Sequence, residues 1–600
     1  MAHFRSTTSK GNTYLQLVQS FRNHKGQPQS RVLANIGNIT KMSDEQIERL
    51  TLSFIRCAGM QKKFQKYEFE AEKAYHYGTV LPAIAMWYQL GLGQIIDQCI
   101  PEKVEIPVSR IALIQTANRF SDPGSKLACF RWYSRSVFSQ MKNFVNFPDD
   151  EQERLHTYYR ALDYLCGAKK EIEKRLYCRL LGAGMDNSLV LYDLTSTYFE
   201  GTDRGGGLKK KGYSRDKRSD CEQIVVGLVM SADGIPIAHH VFAGNRVDKT
   251  TVGEVVGDLK GRFGIRRAIV VGDRGMVSYE NIETVKGKQW GYILGLQRRN
   301  RKVIEWLLKK VDERQGIQEF GWDDLSDKLK GKYEKKVRFV VRYNEKVAQR
   351  TRKVRERKVA GFEHLEGKAK KEGELKEVKK SNDRLKGYLR TKRMSKYYKI
   401  EIKEGKEGEY RLEVERNEEV LERERLLDGR YFLQTEESQE MSKEQVDESY
   451  RSLQIVERAF RAVKGDLEIR PVYVRKETRI RGHVLIAYFA LLIERLMEKK
   501  LKELYPEAAS EKWVGKVDRD GEEALTMMTL YEELDGVRLI PLVLKRGEEK
   551  DQRRYICTKM DNNVKKVLSA VGVKNAMRPE RLSFAKAKKW REDGQLLLDF

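Results

Sequence analysis

The chain has 600 residues, with 116 Lys and Arg against 88 Asp and Glu, and so carries a net charge of +28. Hydrophobic residues make up 40% of it, which excludes a wholly disordered chain and predicts several domains. Its seven cysteines include no CxxC pair, which excludes a disulfide scaffold and a structural zinc site. No signal-peptide pattern opens the chain, and the apolar run at 484–493 is too short for a bilayer. We therefore expect a cytoplasmic protein with no membrane contact and a polyanionic partner, above all nucleic acid.

The first 185 residues divide into two predicted regions. Residues 1–60 are expected to hold a small β-hairpin, because two alternating segments, TYLQLVQSF and SRVLANIG, flank a polar turn. Residues 61–185 have mainly helical spacing, with SDPGSK as a break between two helical segments. We interpret this helical region as DNA-binding, while its spacing fits a helical support equally well.

Strands and helices alternate from residue 186, which predicts an α/β core with a mixed sheet in two parts, 186–300 and 441–505. One buried strand is expected to end at Asp193 and another at Asp273, with a helix capped by Asp248 between them. The second part of the core should hold two long helices, at 442–464 and about 477–500. Residues 506–600 form a C-terminal extension in which no chemistry is recognisable.

A basic segment, 301–440, interrupts this core. Its part at 331–400 contains 25 Lys and Arg against 9 Asp and Glu, a net charge of +16. Alternation in KVRFVVRY, YYKIEIK and EYRLEVE predicts strands in a module that contacts phosphates. The alternative interpretation is a solvated helical face or a flexible linker.

Two aspartates stand out as candidate ligands. Asp193 and Asp273 each follow a run of buried residues, and catalytic groups of open α/β sheets gather at the carboxyl ends of strands. Carboxylates that meet there repel each other unless a cation lies between them, and Mg²⁺ and Mn²⁺ prefer such oxygen ligands. The alternative is that each aspartate only caps the next turn.

A third carboxylate would complete a site for two metal ions. Tyr450, Glu457 and Lys464 are spaced seven residues apart, close to two helical turns, so their side chains share one helix face. That combination suits a phosphate-and-metal face, and Glu457 is the candidate ligand. The alternative is that Glu457 is one more solvated acid of the helix.

These residues resemble the DDE transposases of bacterial insertion sequences, in the branch with an insertion between the second Asp and the Glu. The resembling segments span most of 187–500: YDLTSTYFEG, GYSRDKRSDCEQIVVGL, HHVFAGNRVDKTT, VVGDRGM, DGRYFLQTE, YRSLQIVERAFRAVKGDLEIRPVYV and RIRGHVLIAYFALLIERL. Tyr450, Glu457 and Lys464 match the family's Tyr-Arg-Glu-Lys signature in register. Leu453 stands at the signature's Arg position, and Arg461, one turn beyond Glu457, is a possible substitute.

The resemblance implies an RNase H-like α/β core, interrupted by a β-rich insertion domain and preceded by a mainly helical region. It implies that Asp193, Asp273 and Glu457 are catalytic and hold two Mg²⁺ or Mn²⁺ ions. The implied partner is double-stranded DNA, both transposon ends with their terminal inverted repeats and target DNA, bound by a homodimer in a synaptic complex in a bacterial or archaeal cytoplasm, close to the nucleoid. The residues predicted to contact DNA are Tyr450, Lys464, Arg461, Arg470 and three cations of the Gly-rich basic loop 205–220, Arg215, Lys217 and Arg218.

Two other functions remain open from sequence. An RNase H-like nuclease or resolvase would share the fold logic but never join a 3′-hydroxyl to a target. A non-catalytic DNA-binding accessory protein would share the charge, although the three acids argue against it. The alternative for the basic loop is an exposed, flexible hairpin tip.

Overall fold

The computed structural model describes residues 2–9, 11–23, 26–59, 68–142, 144–201, 206–276, 278–297, 301–312, 316–405, 409–436, 441–504, 527–546, 549–579 and 582–584. They form two compact units, one of Met1–Lys73 with Ile540–Ile556 and one of Ala74–Leu539 with Cys557–Phe600. Gly205 of the basic loop and 506–526, 547–548, 580–581 and 585–600 of the predicted C-terminal extension lie outside the described residues. None of the described helices combines the length and apolar character needed to cross a membrane.

The N-terminal part of the first unit is a three-stranded antiparallel sheet of β1 (Ala2–Ser9), β2 (Asn12–Arg22) and β3 (Pro28–Asn38). Helix α1 (Asp44–Cys57) follows, and Ser43 and Gln46 form a capping box at its start. The predicted hairpin corresponds to β2 and β3. Strand β1 was not expected, because it contains one large apolar residue, Phe4, and so has no hydrophobic alternation. Strand β4 (Glu68–Ala71) pairs with residues 542–545.

The second unit begins with the helical region that the sequence predicted. It contains β5 (Tyr75–His76), α2 (Val80–Gln89), α3 (Leu92–Cys99), α4 (Val108–Ser121), α5 (Lys126–Tyr133) and α6 (Glu151–Gly182). Helix α4 is buried along nearly its whole length, from Val108 to Phe120. Arg119, which is buried on this helix, donates to the Glu468 carbonyl at 2.9 Å. The DNA-binding interpretation of this region stays a prediction.

The first part of the core supplies five strands of a mixed sheet. Its elements are β6 (Leu189–Tyr198), β7 (Gln223–Met230), β8 (Pro236–Ala243), α7 (Val252–Phe263), β9 (Ile269–Gly272), α8 (Tyr279–Lys286) and β10 (Gly291–Gly295). Strands β6, β9 and β10 run parallel to one another, while β7 and β8 are antiparallel. Strands β9 (IVVG) and β10 (GYILG) are largely buried and mainly aliphatic, as strands of a sheet covered on both faces are.

The insertion is mixed and more helical than strand-like, so the β-rich prediction is wrong. Its elements are α9 (Arg301–Lys310), β11 (Ile317–Gly321), α10 (Asp327–Lys330), β12 (Val337–Tyr343), α11 (Glu345–Gly367), β13 (Glu372–Gly373), α12 (Leu375–Thr391), β14 (Tyr398–Glu404), β15 (Tyr410–Arg416), α13 (Glu418–Leu427) and β16 (Arg430–Glu436). The Lys, Arg and Glu that fill α11 and α12 are strong helix formers, which explains the difference.

The insertion divides between two structures. Strands β11, β12 and β16 extend the core into an eight-stranded sheet of order β11-β12-β16-β10-β9-β6-β7-β8. The residues between β12 and β16 form a separate module, with its own sheet β13-β15-β14 and a core around Phe362, Leu385 and Tyr398.

The final elements are α14 (Lys443–Arg451), α15 (Leu453–Lys464), α16 (Glu477–Leu504), α17 (Met527–Asp535), β17 (Arg538–Arg546), β18 (Glu549–Cys557), α18 (Asn562–Ala570), β19 (Val573–Lys574) and β20 (Ser583–Phe584). The prediction of one helix at 442–464 is wrong, because the helix breaks at Ser452. The Ser452 hydroxyl donates to the Glu448 carbonyl at 3.0 Å, a back-bond that bends helices. Helix α16 packs on β8, α4 and α6 and closes one side of the core.

Candidate active site

The pairing of β6 with β9 brings two aspartates side by side. These strands run parallel, and the last pair of their ladder is Tyr192 opposite Gly272. The next residues are Asp193 and Asp273, so both carboxylates lie where β9 ends. The prediction that the first strand ends at Asp193 is wrong, because β6 continues to Tyr198 by pairing with β7 alone.

Helix α15 adds the third carboxylate. Its buried face, which includes Val456 and Phe460, packs on β6 and leaves Glu457 exposed. Asp193, Asp273 and Glu457 all line one depression of about 370 Å³. The structure therefore brings together the three acids that the sequence singled out, from two neighbouring strands and one helix.

Asp193 is the half-buried member of the three. Burial, and then the charges of Asp273 and Glu457, raise the pKa of Asp193 to about 7. The Leu194 amide and the Arg215 guanidinium act against this rise. Three carboxylates held this way repel one another, so a cation among them would be strongly favoured.

The donor set fits Mg²⁺ or Mn²⁺, because it consists of carboxylate oxygens. Asp193 Oδ1 accepts a hydrogen bond from the Leu194 amide at 2.7 Å, and Asp273 Oδ1 accepts one from the Arg274 amide at 2.5 Å. Within the described ranges, no three His, Cys, Asp or Glu side chains are already gathered closely enough to hold an ion. The acids thus fit an ion by chemistry and location, and binding it would require these side chains to turn.

Two protein-family models match this chain. Residues 185–493 match the transposase DDE domain, and residues 4–56 match the N-terminal domain of IS1634 family transposases. The first match covers just over half of the chain and includes all three acids. This chain belongs to the DDE transposase family. The resemblance found in the sequence is confirmed, and the family implies an RNase H-like fold for the core.

Two solved transposase structures show low similarity to this chain. The transposase is similar to a piggyBac transposase synaptic complex with hairpin DNA, at 8% identity and a TM-score of 0.34, over 78% of this chain and 82% of that one. It is also similar to a Mos1 transposase paired-end complex, at 14% identity and a TM-score of 0.14, over 32% and 59%. Both TM-scores lie below 0.5. No curated protein matches the transposase significantly.

Tyr450 lies beside the acids although a helix break separates it from Glu457. Its ring packs against Tyr431 at 5.5 Å between centroids. Burial, and then the Asp273 carboxylate, raise the pKa of Tyr450 to about 12, so its hydroxyl is a hydrogen-bond donor at neutral pH. A Cβ at Gly295 would lie against this hydroxyl, well inside contact distance.

Lys464 and Arg470 meet at a shared acid. Lys464 Nζ donates to Asp216 Oδ1 at 2.7 Å, and Arg470 donates to the same oxygen. The Asp216 side chain is 4% exposed, so this carboxylate is neutralised inside the protein. These two predicted DNA contacts, Lys464 and Arg470, therefore bind Asp216 of the basic loop 205–220.

Arg215 and Asp248 form a pair that sequence reasoning did not find. Both line the depression, and Arg215 Nη2 donates to the two carboxylate oxygens of Asp248 at 2.7 and 2.8 Å. The prediction that Asp248 caps a helix is wrong, because α7 starts at Val252 without a side-chain cap. A signal did exist, since Asp248 lies in HHVFAGNRVDKTT, one of the segments that carry the resemblance.

The remaining predicted DNA contacts do not line the depression. Arg461 and Lys217 are exposed. Arg218 donates to Asp220 at 2.9 Å and lies over the Tyr198 ring at 4.8 Å. Among the described residues that line the depression, Arg215 is the one cation.

Proposed function

We propose that this transposase binds the terminal inverted repeats of its element, cleaves the element ends and joins the freed 3′-hydroxyl to target DNA. The observation that carries the proposal is the shared depression of Asp193, Asp273 and Glu457. In hydrolysis, water oxygen bonds to phosphorus and the P–O3′ bond breaks, which frees the 3′-hydroxyl. In joining, that hydroxyl bonds to a target phosphorus and releases a 3′-hydroxyl of the target.

Asp193, Asp273 and Glu457 would hold two Mg²⁺ or Mn²⁺ ions. When bound, such ions supply Lewis-acid stabilisation to the attacking and leaving oxygens of a phosphodiester. The three acids are suited to this role because their mutual repulsion favours a cation, and because α15 and the β6–β9 pair hold them on rigid elements.

The other residues of the site would position DNA. Arg215 offers a guanidinium at the rim of the acids, and Tyr450 offers a hydroxyl that keeps its proton. Lys464, Arg470, Arg461, Lys217 and Arg218 would add further phosphate contacts, and Lys464 and Arg470 would reach a phosphate by leaving Asp216. Double-stranded DNA is the partner, and a homodimer would hold two ends in one synaptic complex in the bacterial or archaeal cytoplasm.

Metal-dependent cleavage of a labelled duplex that carries the element end tests this proposal. Asp193→Asn, Asp273→Asn and Glu457→Gln should each lower the cleavage rate by about 10⁴-fold or more, since such residues act as a unit. Glu448→Gln, an exposed acid of the neighbouring helix α14, is the matched control and should cleave normally. Cleavage that survives in Asp193→Asn would refute the assignment of this site.

A joining assay separates the transposase from a nuclease. Pre-cleaved ends and a supercoiled target plasmid should give joined products in Mg²⁺ or Mn²⁺, and Glu457→Gln should give none. Cleavage without any joined product would indicate the nuclease alternative. DNA binding without either reaction would indicate an accessory protein.

A further inference from the structure

The N-terminal sheet presents a polar face to which nothing so far assigns a role. Arg5 of β1 donates to Gln16 of β2 and to Ser30 of β3, both at 3.2 Å. Thr7 also donates to Gln16, at 3.5 Å. We call these four side chains, which connect all three strands, the Arg5 face.

The Arg5 face is directed away from α1. Consecutive strand residues point to opposite sides of a sheet. Phe4 packs its ring on Phe54 of α1, at 5.5 Å between centroids, so Arg5 points to the other side. Arg5, Thr7 and Ser30 are exposed and Gln16 is half-buried, which leaves their polar atoms accessible.

The charge of this segment indicates a polyanion as its partner. Residues 1–42 contain six Lys and Arg and not a single Asp or Glu, in a chain with 88 acids. The first acids appear in α1, at Asp44 and Glu45. A segment whose charged residues are all positive attracts phosphates along its whole length.

The chemistry of the face indicates base edges as well as phosphates. Arg and Gln are the side chains that form paired hydrogen bonds with guanine and adenine in the major groove. Three strands at about 4.8 Å spacing span about 10 Å, and the groove is about 12 Å wide. Sheets are known to read DNA in this way.

We propose that the Arg5 face reads base pairs in the major groove of duplex DNA and gives the transposase its preference for one end sequence. This inference rests on the proposed function only in that the protein acts on DNA. It places sequence recognition in the unit that contains β1–β3, apart from the acids that cut. Its occupant is duplex DNA rather than a second copy of the chain.

Selection from a pool of randomised duplexes by the full-length protein tests the inference. The wild type should enrich one motif. Arg5→Ala and Gln16→Ala should each lower the ratio of affinities for the selected and the random duplex by about 5- to 150-fold, the range for one paired base contact. Gln16→Ala should lose this preference at one base position, with its net charge unchanged.

Arg31→Ala is the matched control. Arg31 donates to Gln19 at 2.7 Å, and Gln19 lies opposite Ala2, on the same side of the sheet as Phe4. Its loss should weaken binding to the selected and the random duplex equally, since it removes only charge. Thermal melting verifies that each variant is folded.

Three results would overturn the inference. One is a selected motif and affinity ratio that stay unchanged in both Arg5→Ala and Gln16→Ala. Another is a wild type that enriches no motif yet still cleaves DNA, which leaves the proposed cleavage and joining reactions standing but not the recognition of an end sequence. The third is light scattering in which Arg5→Ala alters the oligomeric state and not the DNA preference, which would make the face a contact between copies.

Discussion

Arg215 supplies the positive charge among the acids that line the depression. It is the one described cation among the lining residues, and its guanidinium is held by Asp248. The backbone N–H of Arg215 donates to the Ser196 hydroxyl at 2.9 Å, so both ends of the residue are fixed. Asp248 therefore fixes the orientation of the Arg215 guanidinium.

Asp248→Asn should lower the cleavage rate at saturating DNA by about tenfold, because Arg215 loses the charge that orients it, a loss of about 1.4 kcal/mol. Single-turnover cleavage measures this. In an Arg215→Ala background the same change should have little further effect, as expected for residues that act through each other. Full additivity of the two substitutions would contradict the coupling. Asp220→Asn, an exposed acid paired with Arg218, is the control.

The raised pKa of Asp193 predicts a pH-dependent stability for the metal-free protein. Its pKa is about 7 in the folded chain, against an ordinary value of 3.8. Between these values the folded state holds a proton that the unfolded state releases, so stability falls as pH rises from about 4 to 7. Asn has no such proton to lose. The difference in melting temperature between Asp193→Asn and the wild type should therefore shift in favour of the variant by several degrees between pH 4 and pH 8.

Added Mg²⁺ supplies the control for this prediction. It should raise the melting temperature of the wild type at pH 8 more than that of Asp193→Asn, because the wild type keeps all three acids. A melting difference between the two proteins that is the same at both pH values would contradict the raised pKa.

The three acids could be predicted from the sequence, but the ion pairs near them could not. Asp193 and Asp273 were recognisable because each follows a buried run, and Glu457 because of its register with Tyr450 and Lys464. Asp248 and Asp216 were not, because their partners, Arg215 and Lys464, are 33 and 248 residues away along the chain. Such pairs depend on how loops fold back on the sheet, which local pattern does not encode.

At the scale of elements, the approach of α14 to β10 depends on one glycine. A side chain at Gly295 would meet the Tyr450 hydroxyl first, then its Cζ at 3.0 Å and Arg274 Cγ at 3.1 Å. Gly295 therefore allows Tyr450 to lie against the sheet next to the acids. The helix break at Ser452 then lets α15 begin a new direction on β6.

Gly295→Ala should destabilise the transposase by about 1–3 kcal/mol, because the methyl group overpacks the contact with Tyr450. Denaturant unfolding measures the change, and cleavage should fall with it. The double variant Gly295→Ala with Tyr450→Phe should recover part of the stability, since it removes the nearest atom. Gly257→Ala, in α7 with open space around it, is the control and should be neutral or stabilising. A stable Gly295→Ala variant would contradict the close contact.

Local sequence patterns predicted some elements correctly and missed others. Strands β12, β14 and β15 alternate clearly and were predicted within one residue of their bounds at most positions. The β-rich character assigned to the insertion came from resemblance, and its own composition, rich in Lys and Glu, favours the helices that form. The break at Ser452 lies between Tyr450 and Glu457, and a helical spacing of seven residues does not reveal it.

At the scale of the molecule, helix α11 of the inserted module presents a face lined by four cations. Lys346, Arg350, Lys353 and Arg357 of α11 are exposed and spaced four, three and four residues apart, so they share a face. No ion pair is found for any of them in the described part of the chain. Helix α11 packs its opposite side into the module through Phe362.

Changing these four cations to Gln should weaken DNA binding and flatten its dependence on salt. Each lost phosphate contact lowers the slope of log affinity against log salt by about 0.9, so all four would lower it by about 3.6. Fluorescence anisotropy over a salt series measures the slope. Lys399 and Lys403 of β14 form ion pairs with Glu401 at 2.8 Å and with Glu413 at 2.6 Å. Changing these two to Gln is the control, and an equal loss of slope there would contradict a role for the α11 face.

The way the insertion joins the core has a consequence for building smaller versions of this transposase. Tyr343, the last residue of β12, is opposite Arg430, the first of β16, and the Asn344 amide donates to the Gly429 carbonyl at 2.9 Å. The chain thus leaves the eight-stranded sheet and returns to it at one point, so a tight turn in place of residues 344–429 would keep the strand pairing but would remove Leu427 from the core beside α9. Excision of the whole insertion is different, because it would strip β16 from β10 and leave β10 as a bare sheet edge, open to pairing between molecules.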